Sequence, residues 1–135
     1  MAKWLLKSEP GTYSWDDLVR DGKTVWDGVR NHTAAQNLKA MAAGDEAFFY
    51  HSGEGKEVVA IASIVTPAFK DVSDATGVFV AVEIAPVRAI KAPVTLAQIK
   101  AEPSLKDMDL VRLSRLSVSK VTDEQWAKVL KMAGE

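Results

Sequence analysis

Three short stretches of the 135-residue chain set a residue that turns or ends the backbone beside hydrogen-bonding groups: "KSEP" at 7–10, "WDGVRN" at 26–31 and "YHS" at 50–52. A planar ligand such as a nucleobase needs a flat apolar wall and a few fixed donors and acceptors. Trp26 and Tyr50 are candidate walls; Ser8, Glu9, Asn31, His51 and Ser52 are candidate readers of the ligand's edges. Arg30, next to the start of a helix, is placed to meet a phosphate. Ordinary roles compete for the same residues. Tryptophan is mostly buried in folded proteins, so Trp26 is also a core candidate. Asn31 is a candidate helix cap. Arg30 has Asp27 and Glu9 as nearby ion-pair partners, Lys7 and Glu9 suit solvated strand ends, and His51 suits a half-buried, hydrogen-bonded histidine.

Catalytic constellations are harder to assemble. Ser52 follows His51, but successive strand residues face opposite sides, so the two should not pair as nucleophile and base. There is no G-x-S-x-G elbow, and "GEGKE" lacks the spacing and the Lys-Ser/Thr of a phosphate-binding loop. With two histidines and no H-E-x-x-H, a metal site would have to lean on scattered carboxylates. No cysteine is present, which removes disulfides, thiol nucleophiles and cysteine-bound metal. No cofactor and no metal are expected. Two rivals to base binding stay open. One is an enzyme acting on a nucleotide or small molecule with Glu9 or His51 as acid or base. The other is a small-ligand sensor or partner-binding module.

The chain has the length of one ordinary domain, and 47% of its residues are apolar. Its 17 basic and 18 acidic residues leave a net charge of −1, which argues against tight, sequence-indifferent binding to a long duplex. A pocket for one nucleotide remains compatible with that balance. "MAKWLLKSEP" carries an apolar run far shorter than a signal peptide needs, and no segment approaches membrane-spanning length. These features lead to the expectation of a soluble, intracellular chain, taken as cytoplasmic.

The candidate groups sit at the ends of expected elements. "KWLLK" reads as a buried strand stopped by Pro10-Gly11. "SWDDLVRDG" reads as a short helix with a Ser14–Asp17 capping box and a stop at Gly22. "KTVW" reads as a strand running into "WDGVRN". "NHTAAQNLKAM" reads as a helix capped by Asn31, with Ala34, Leu38 and Met41 on one face and its end at Gly44. "EAFFYHS" and "EVVAIASIVT" read as strands joined through "GEGK". "GVFVAVEIAPVRAI" alternates through Val78, Val80 and Val82 as far as Pro86. "TLAQIKAE" suits a helical turn or two, "RLSVSKV" a last strand, and "TDEQWAKVLKMA" a helix with a Thr122–Gln125 box. Trp4, Leu5, Leu6, Phe48, Val59, Ile61, Val80, Val82, Leu116, Trp126 and Leu130 are the expected core. The sum is an α+β domain with a largely antiparallel sheet or barrel and flanking helices.

With those elements in place the chain resembles the EVE domain family, which is related to the PUA and YTH domains. "WLLKSEP", "YSWDDL", "WDGVRN", "AFFYHS" and "RLSV" follow in that family's order and spacing, from Trp4 to about Leu130. The resemblance implies a single domain over residues 1–135 with a PUA-like fold: a strongly bent, mostly antiparallel β-barrel with flanking helices. It also implies a non-catalytic module that accepts a modified base of DNA or RNA in a pocket, for example a methylated or hydroxymethylated cytosine. The motif positions carried over as ligand-binding are Ser8, Glu9 and Pro10, then Trp26, Gly28, Arg30 and Asn31. Tyr50, His51 and Ser52 follow, and Arg115, Leu116 and Ser117 complete the set. In this picture Gly28 lets the backbone turn or approach a ligand, Trp26 stands at the rim, and Arg30 adds charge near the helix start. The chain departs from the family where an aromatic residue and then an Arg-Asn pair often follow "WDGVRN". Here those positions hold His32, Ala35 and Gln36, and a phosphate contact is expected to be missing.

Overall fold

Two strands of this chain are apolar on both faces, and they organise everything else. In a computed structural model, which describes residues 1–53 and 55–135, β1 (Lys3–Ser8) sends Trp4 and Leu6 to one side of the sheet and Leu5 to the other. β3 (Glu46–His51) does the same, with Ala47 and Phe49 against Phe48 and Tyr50. β1 and β3 pair in parallel, Leu5 beside Phe48 and Ser8 beside His51. Continuous apolar runs are what a parallel pair covered on both faces requires.

The remaining strands are β2 (Thr24–Trp26), β4 (Glu57–Lys70), β5 (Val80–Thr95) and β6 (Val118–Val121). Their order in the sheet is β2-β5-β4-β3-β1-β6, and every neighbouring pair except β1–β3 is antiparallel. β3 and β4 form the expected hairpin; Glu54 of its "GEGK" loop lies outside the described residues. The order is open. β2 and β6 are edges that do not pair with each other among the described residues, so hydrogen bonding does not close the sheet into the expected barrel. β5 also runs well past Pro86, which faces Ala62 where the register with β4 shifts. Bulges absorb a residue without a donor and bend the strand, so the proline does not end it.

Helices cover both faces. α1 (Trp15–Asp21) carries the Ser14–Asp17 capping box and ends at Gly22 with φ 77°. α2 (His32–Ala40) starts at Asn31, whose side chain accepts the Ala34 N–H. Its end differs from expectation. The chain turns extended at Met41, and Gly44, at φ 91°, instead forms the turn that leads into β3. Leu18, Ala34 and Leu38 of α1 and α2 join Trp4, Leu6 and Phe49 in one core. α3 (Leu96–Ala101), a single 3-10 turn (Pro103–Leu105), α4 (Asp109–Arg112) and α5 (Asp123–Met132) cover the opposite face. There Phe48 stacks on Trp126 at 3.8 Å. The 3-10 turn and α4 have no signature in the sequence. Segments that short hold helical form through tertiary packing, here of Leu105, Met108 and Leu110.

Of the expected core residues, Val59, Val80 and Leu130 are only half-buried against it, and the others are buried. Among the described residues, no helix is long and apolar enough to cross a membrane.

Candidate functional site

The end of β1 begins the site. After Ser8, the Glu9 carbonyl accepts the N–H groups of Thr12 (2.9 Å) and Tyr13 (2.8 Å), a turn that Pro10-Gly11 accommodates. Ser8 Oγ donates to the Tyr13 carbonyl and fixes the turn over the strand end. β2 approaches from the far edge. Between them lies a cavity of about 340 Å³ lined by Ser8, Thr12, Tyr13, Thr24, Val25, Trp26 and Asp27. Trp26 is half-buried and packs edge-on against Phe49, with ring centroids 5.7 Å apart. The Tyr13 hydroxyl donates to Asp21 at 2.9 Å. Burial, helped by the Asp21 charge, pushes the Tyr13 pKa above its usual value, so the hydroxyl stays protonated at neutral pH. The cavity therefore has two aromatic side chains and several short polar ones. Tyr13 was not among the sequence candidates, although it opens the "YSWDDL" block.

The other candidates divide among different places. Glu9, Pro10 and Ser52 line a neighbouring depression of about 450 Å³ with Gly11, Thr12, Gly53 and Gly55. Thr12 borders both spaces. Tyr50 is not a wall of either. It is 3% exposed and belongs to the core on the opposite face of the sheet, with Leu5 and Phe48. Strand alternation requires this: Phe49 faces Trp26, so Tyr50 faces away. His51 returns to the Phe49 side, but its Nε2 accepts the Trp15 N–H at 3.0 Å. That N–H is one of the donors a helix start leaves without a partner. Burial lowers the His51 pKa against the weaker pull of Glu57 and Asp16. His51 thus works as a neutral acceptor that braces α1, and the lone pair a general base would use is occupied.

The 26–31 turn is tied down by Asp71, which no motif in the sequence singles out. Asp71, just after β4, is a buried carboxylate. It accepts the Gly28 N–H at 2.9 Å, Arg30 Nη1 at 3.0 Å, the Ser73 N–H at 2.8 Å and the Ser73 hydroxyl. Burial alone would raise its pKa, but bonds from Ser73, Gly28 and Arg30 together hold it well below the usual carboxylate range. Arg30 also donates to Ser73 Oγ at 3.1 Å and lies 5.4 Å from the Phe79 ring. Its ion-pair partner is therefore Asp71, not Asp27 or Glu9. Gly28 has φ 76°, and a Cβ there would meet nothing within 4 Å. Glycine is needed for the turn's handedness and not for a close approach. Asp74 organises the rest of this loop by accepting from Thr76, Val78 and Phe79. Those bonds, the Phe79 N–H foremost, lower its pKa to about 2. His32 packs on Phe79 at 5.1 Å.

Asn31 caps α2 through a 2.9 Å bond from the Ala34 N–H. It also borders a third hollow of about 300 Å³, with Thr33, Leu113, Ser114, Arg115 and Leu116. Arg115 is exposed, Leu116 is core, and the Ser117 carbonyl accepts the Lys7 N–H at 3.0 Å. Lys7 Nζ reaches back to the Ser114 carbonyl at 2.7 Å. Ala35 is 4% exposed, so this helix position points inward, and Gln36 is on the surface. No group of three or more histidines and carboxylates that could hold a metal occurs among the described residues.

Comparison with known proteins covers the whole of this architecture. The family model described as "EVE domain" matches residues 2–132. Human thymocyte nuclear protein 1 is 31% identical over 96% of this chain and 72% of its own length. The solution structure of Rpa0253 from Rhodopseudomonas palustris aligns with a TM-score of 0.94 and 53% identity, over 99% of this chain and 94% of that one. A crystal structure of human THYN1 protein in complex with 5-methylcytosine-containing DNA aligns with a TM-score of 0.91 and 30% identity, over 100% and 99% of the two chains. The YTH domain of Zygosaccharomyces rouxii MRB1, in complex with N6-methyladenosine RNA, shares the fold at a TM-score of 0.58 and 17% identity, over 98% and 86%.

Proposed function

The chain belongs to the EVE domain family, and we propose that it is a non-catalytic nucleic-acid-binding module that accepts a modified base in the Trp26 cavity. The observation that carries this reading is the pairing of an aromatic-walled, polar-edged cavity with a 30% identical structure bound to 5-methylcytosine DNA. About 340 Å³ lies at the small end of ligand pockets, a size suited to one base and not to a longer ligand. Trp26 and Tyr13 offer ring faces or edges for stacking. Ser8, Thr12, Thr24 and Asp27 offer donors and acceptors. A methylated or hydroxymethylated cytosine is the proposed occupant, on DNA in the first instance. The net charge of −1 fits a module that gains its affinity from the base and makes few phosphate contacts. The bulges between β4 and β5 curve the sheet toward the PUA-like barrel, which we keep as the finer description of the fold.

The test is a titration of 5-methylcytosine and plain oligonucleotides of one sequence, followed by tryptophan fluorescence. A base must first leave its stack at a cost of a few kcal/mol in a duplex, and stacking on an aromatic wall returns roughly 1–3 kcal/mol. Preference must then come from edge hydrogen bonds and from the added methyl, worth about 10–200-fold in a fitted apolar pocket. The modified strand is expected to bind about tenfold tighter or more, and Trp26→Ala to remove that preference while circular dichroism reports an intact fold. Equal affinity across a panel of modified bases would refute the proposal. A chemical change in the oligonucleotide that disappears in Glu9→Gln would put an enzyme in its place.

A further inference from the structure

The segment that presents Trp26 and Asp27 to the cavity is held from one side by a three-residue edge strand. The β2–β5 pairing runs from Thr24 opposite Ile84 to Trp26 opposite Val82 and ends there, and α2 begins at His32. Between these anchors, Val29 is buried in the core. Among the described residues, the hydrogen bonds that run from residues 27–30 to other segments end on Asp71 and Ser73. The Asp71 carboxylate has no solvent exposure and takes its bonds from both sides: the Gly28 N–H and Arg30 on the turn, Ser73 on its own loop. Arg30, 41% exposed, is neutralised in place.

We infer that Asp71 is the positioning residue that sets the base preference of the Trp26 cavity, by fixing the 27–30 turn and by holding Arg30 away from phosphate. The inference rests on the reader function proposed above. It separates two properties that a simple loss of structure would lower together. Fixing the turn favours the fitted base. Neutralising Arg30 weakens the attraction of any polynucleotide, which depends on counterion release by free cations. The buried carboxylate stays ionised across the neutral range, so both effects are constant features of the site.

The experiment is Asp71→Asn, titrated with a duplex carrying one 5-methylcytosine and with the same duplex unmodified, at several salt concentrations. Asparagine keeps the shape and can still accept the Gly28 N–H, but it loses the charge that organises Arg30 and Ser73. The ratio of modified to plain affinity is expected to fall about tenfold. Affinity for the plain duplex is expected to rise, and its salt slope to steepen as Arg30 becomes free for a phosphate. Ser73→Ala, at an exposed position, is a milder variant expected to move both quantities in the same directions. An unchanged ratio in both variants overturns the inference. A parallel loss of both affinities together with melting temperature also overturns it, since Asp71 would then serve the fold alone. A wild-type protein with no preference refutes the reader function itself. In that case the amide exchange rate of Gly28, read in Asp71→Ala, which has no side-chain acceptor, still decides the mechanical part: faster exchange than in the wild type supports the clamp and an unchanged rate refutes it.

Discussion

Protonating His51 is expected to loosen the helix that follows the pocket's entrance turn. Its Nε2 accepts the N–H of Trp15, the first residue of α1, and Trp15 packs against Phe49 at 5.7 Å. A protonated ring presents N–H to N–H, so the bond is lost and the Trp15 donor is left without an acceptor. Orphaning one such group costs about 1–3 kcal/mol when it is buried, and the half-buried setting here places the expected loss in the lower part of that range. The folded-state pKa lies below the ordinary value of 6.5. Below pH 6.5 the unfolded chain therefore binds more protons than the folded one, and stability falls as pH drops toward the folded-state pKa. Above 6.5 the contribution is fully present. His51→Ala should lower stability by about 1–2 kcal/mol at pH 7.5. For a domain of this size that is a drop in Tm of roughly 4–8 °C. It should also flatten the wild-type decline between pH 6.5 and 5. His51→Gln, which keeps an acceptor at similar reach, should restore much of the loss without the pH dependence. Thermal melts from pH 5 to 8 read all of this. An Ala variant with wild-type Tm and an unchanged pH profile would show that the Trp15 bond carries no weight.

Leu6 is fully buried, so Leu6→Ala should cost about 2–5 kcal/mol in urea unfolding, and a loss below about 1 kcal/mol would contradict its place in the core. Asn31→Ala removes the α2 cap and should lower stability by about 0.5–2 kcal/mol while leaving the ratio of modified to plain affinity in place; a collapse of that ratio would make Asn31 a base contact. Arg30→Ala should change the salt slope by much less than one unit, because Asp71 already neutralises Arg30; a full unit would mean that Arg30 leaves Asp71 for a phosphate in the complex.

What could be read ahead of the structure was local. The boxes Ser14–Asp17 and Thr122–Gln125 mark two helix starts correctly, because a cap is satisfied within one turn of chain. "WLL" and "AFFY" announce strands covered on both faces. The failures involve distance or parity. Arg30 meets Asp71 across 41 residues, and no spacing rule reaches that far. Tyr50 and His51 cannot serve one pocket, because alternation forbids neighbouring strand residues to share a face. The alternation around Val78, Val80 and Val82 reaches Pro86 without showing how a proline is carried, because the bulged pairing with β4 is not visible in the sequence. Tyr13 reaches the cavity only because the Glu9 and Ser8 bonds fold the turn back, a conformation that Pro10-Gly11 permits without dictating.

The parallel pairing of β1 and β3 also sets an order of assembly. β3, β4 and β5 are sequential neighbours joined as a meander, so each finds its partner soon after it is made. β1 has no such neighbour. It must wait for β3 on one side and for β6, near the far end of the chain, on the other. Contacts of such long separation pay the loop-closure entropy before they return any stability. β1 is thus made before either of its partners, and Trp4, Leu5 and Leu6 stay exposed until β3 and β6 reach it. Losing β1 would uncover β3 and leave β6 without a partner, whereas losing an edge strand would leave the other five strands paired.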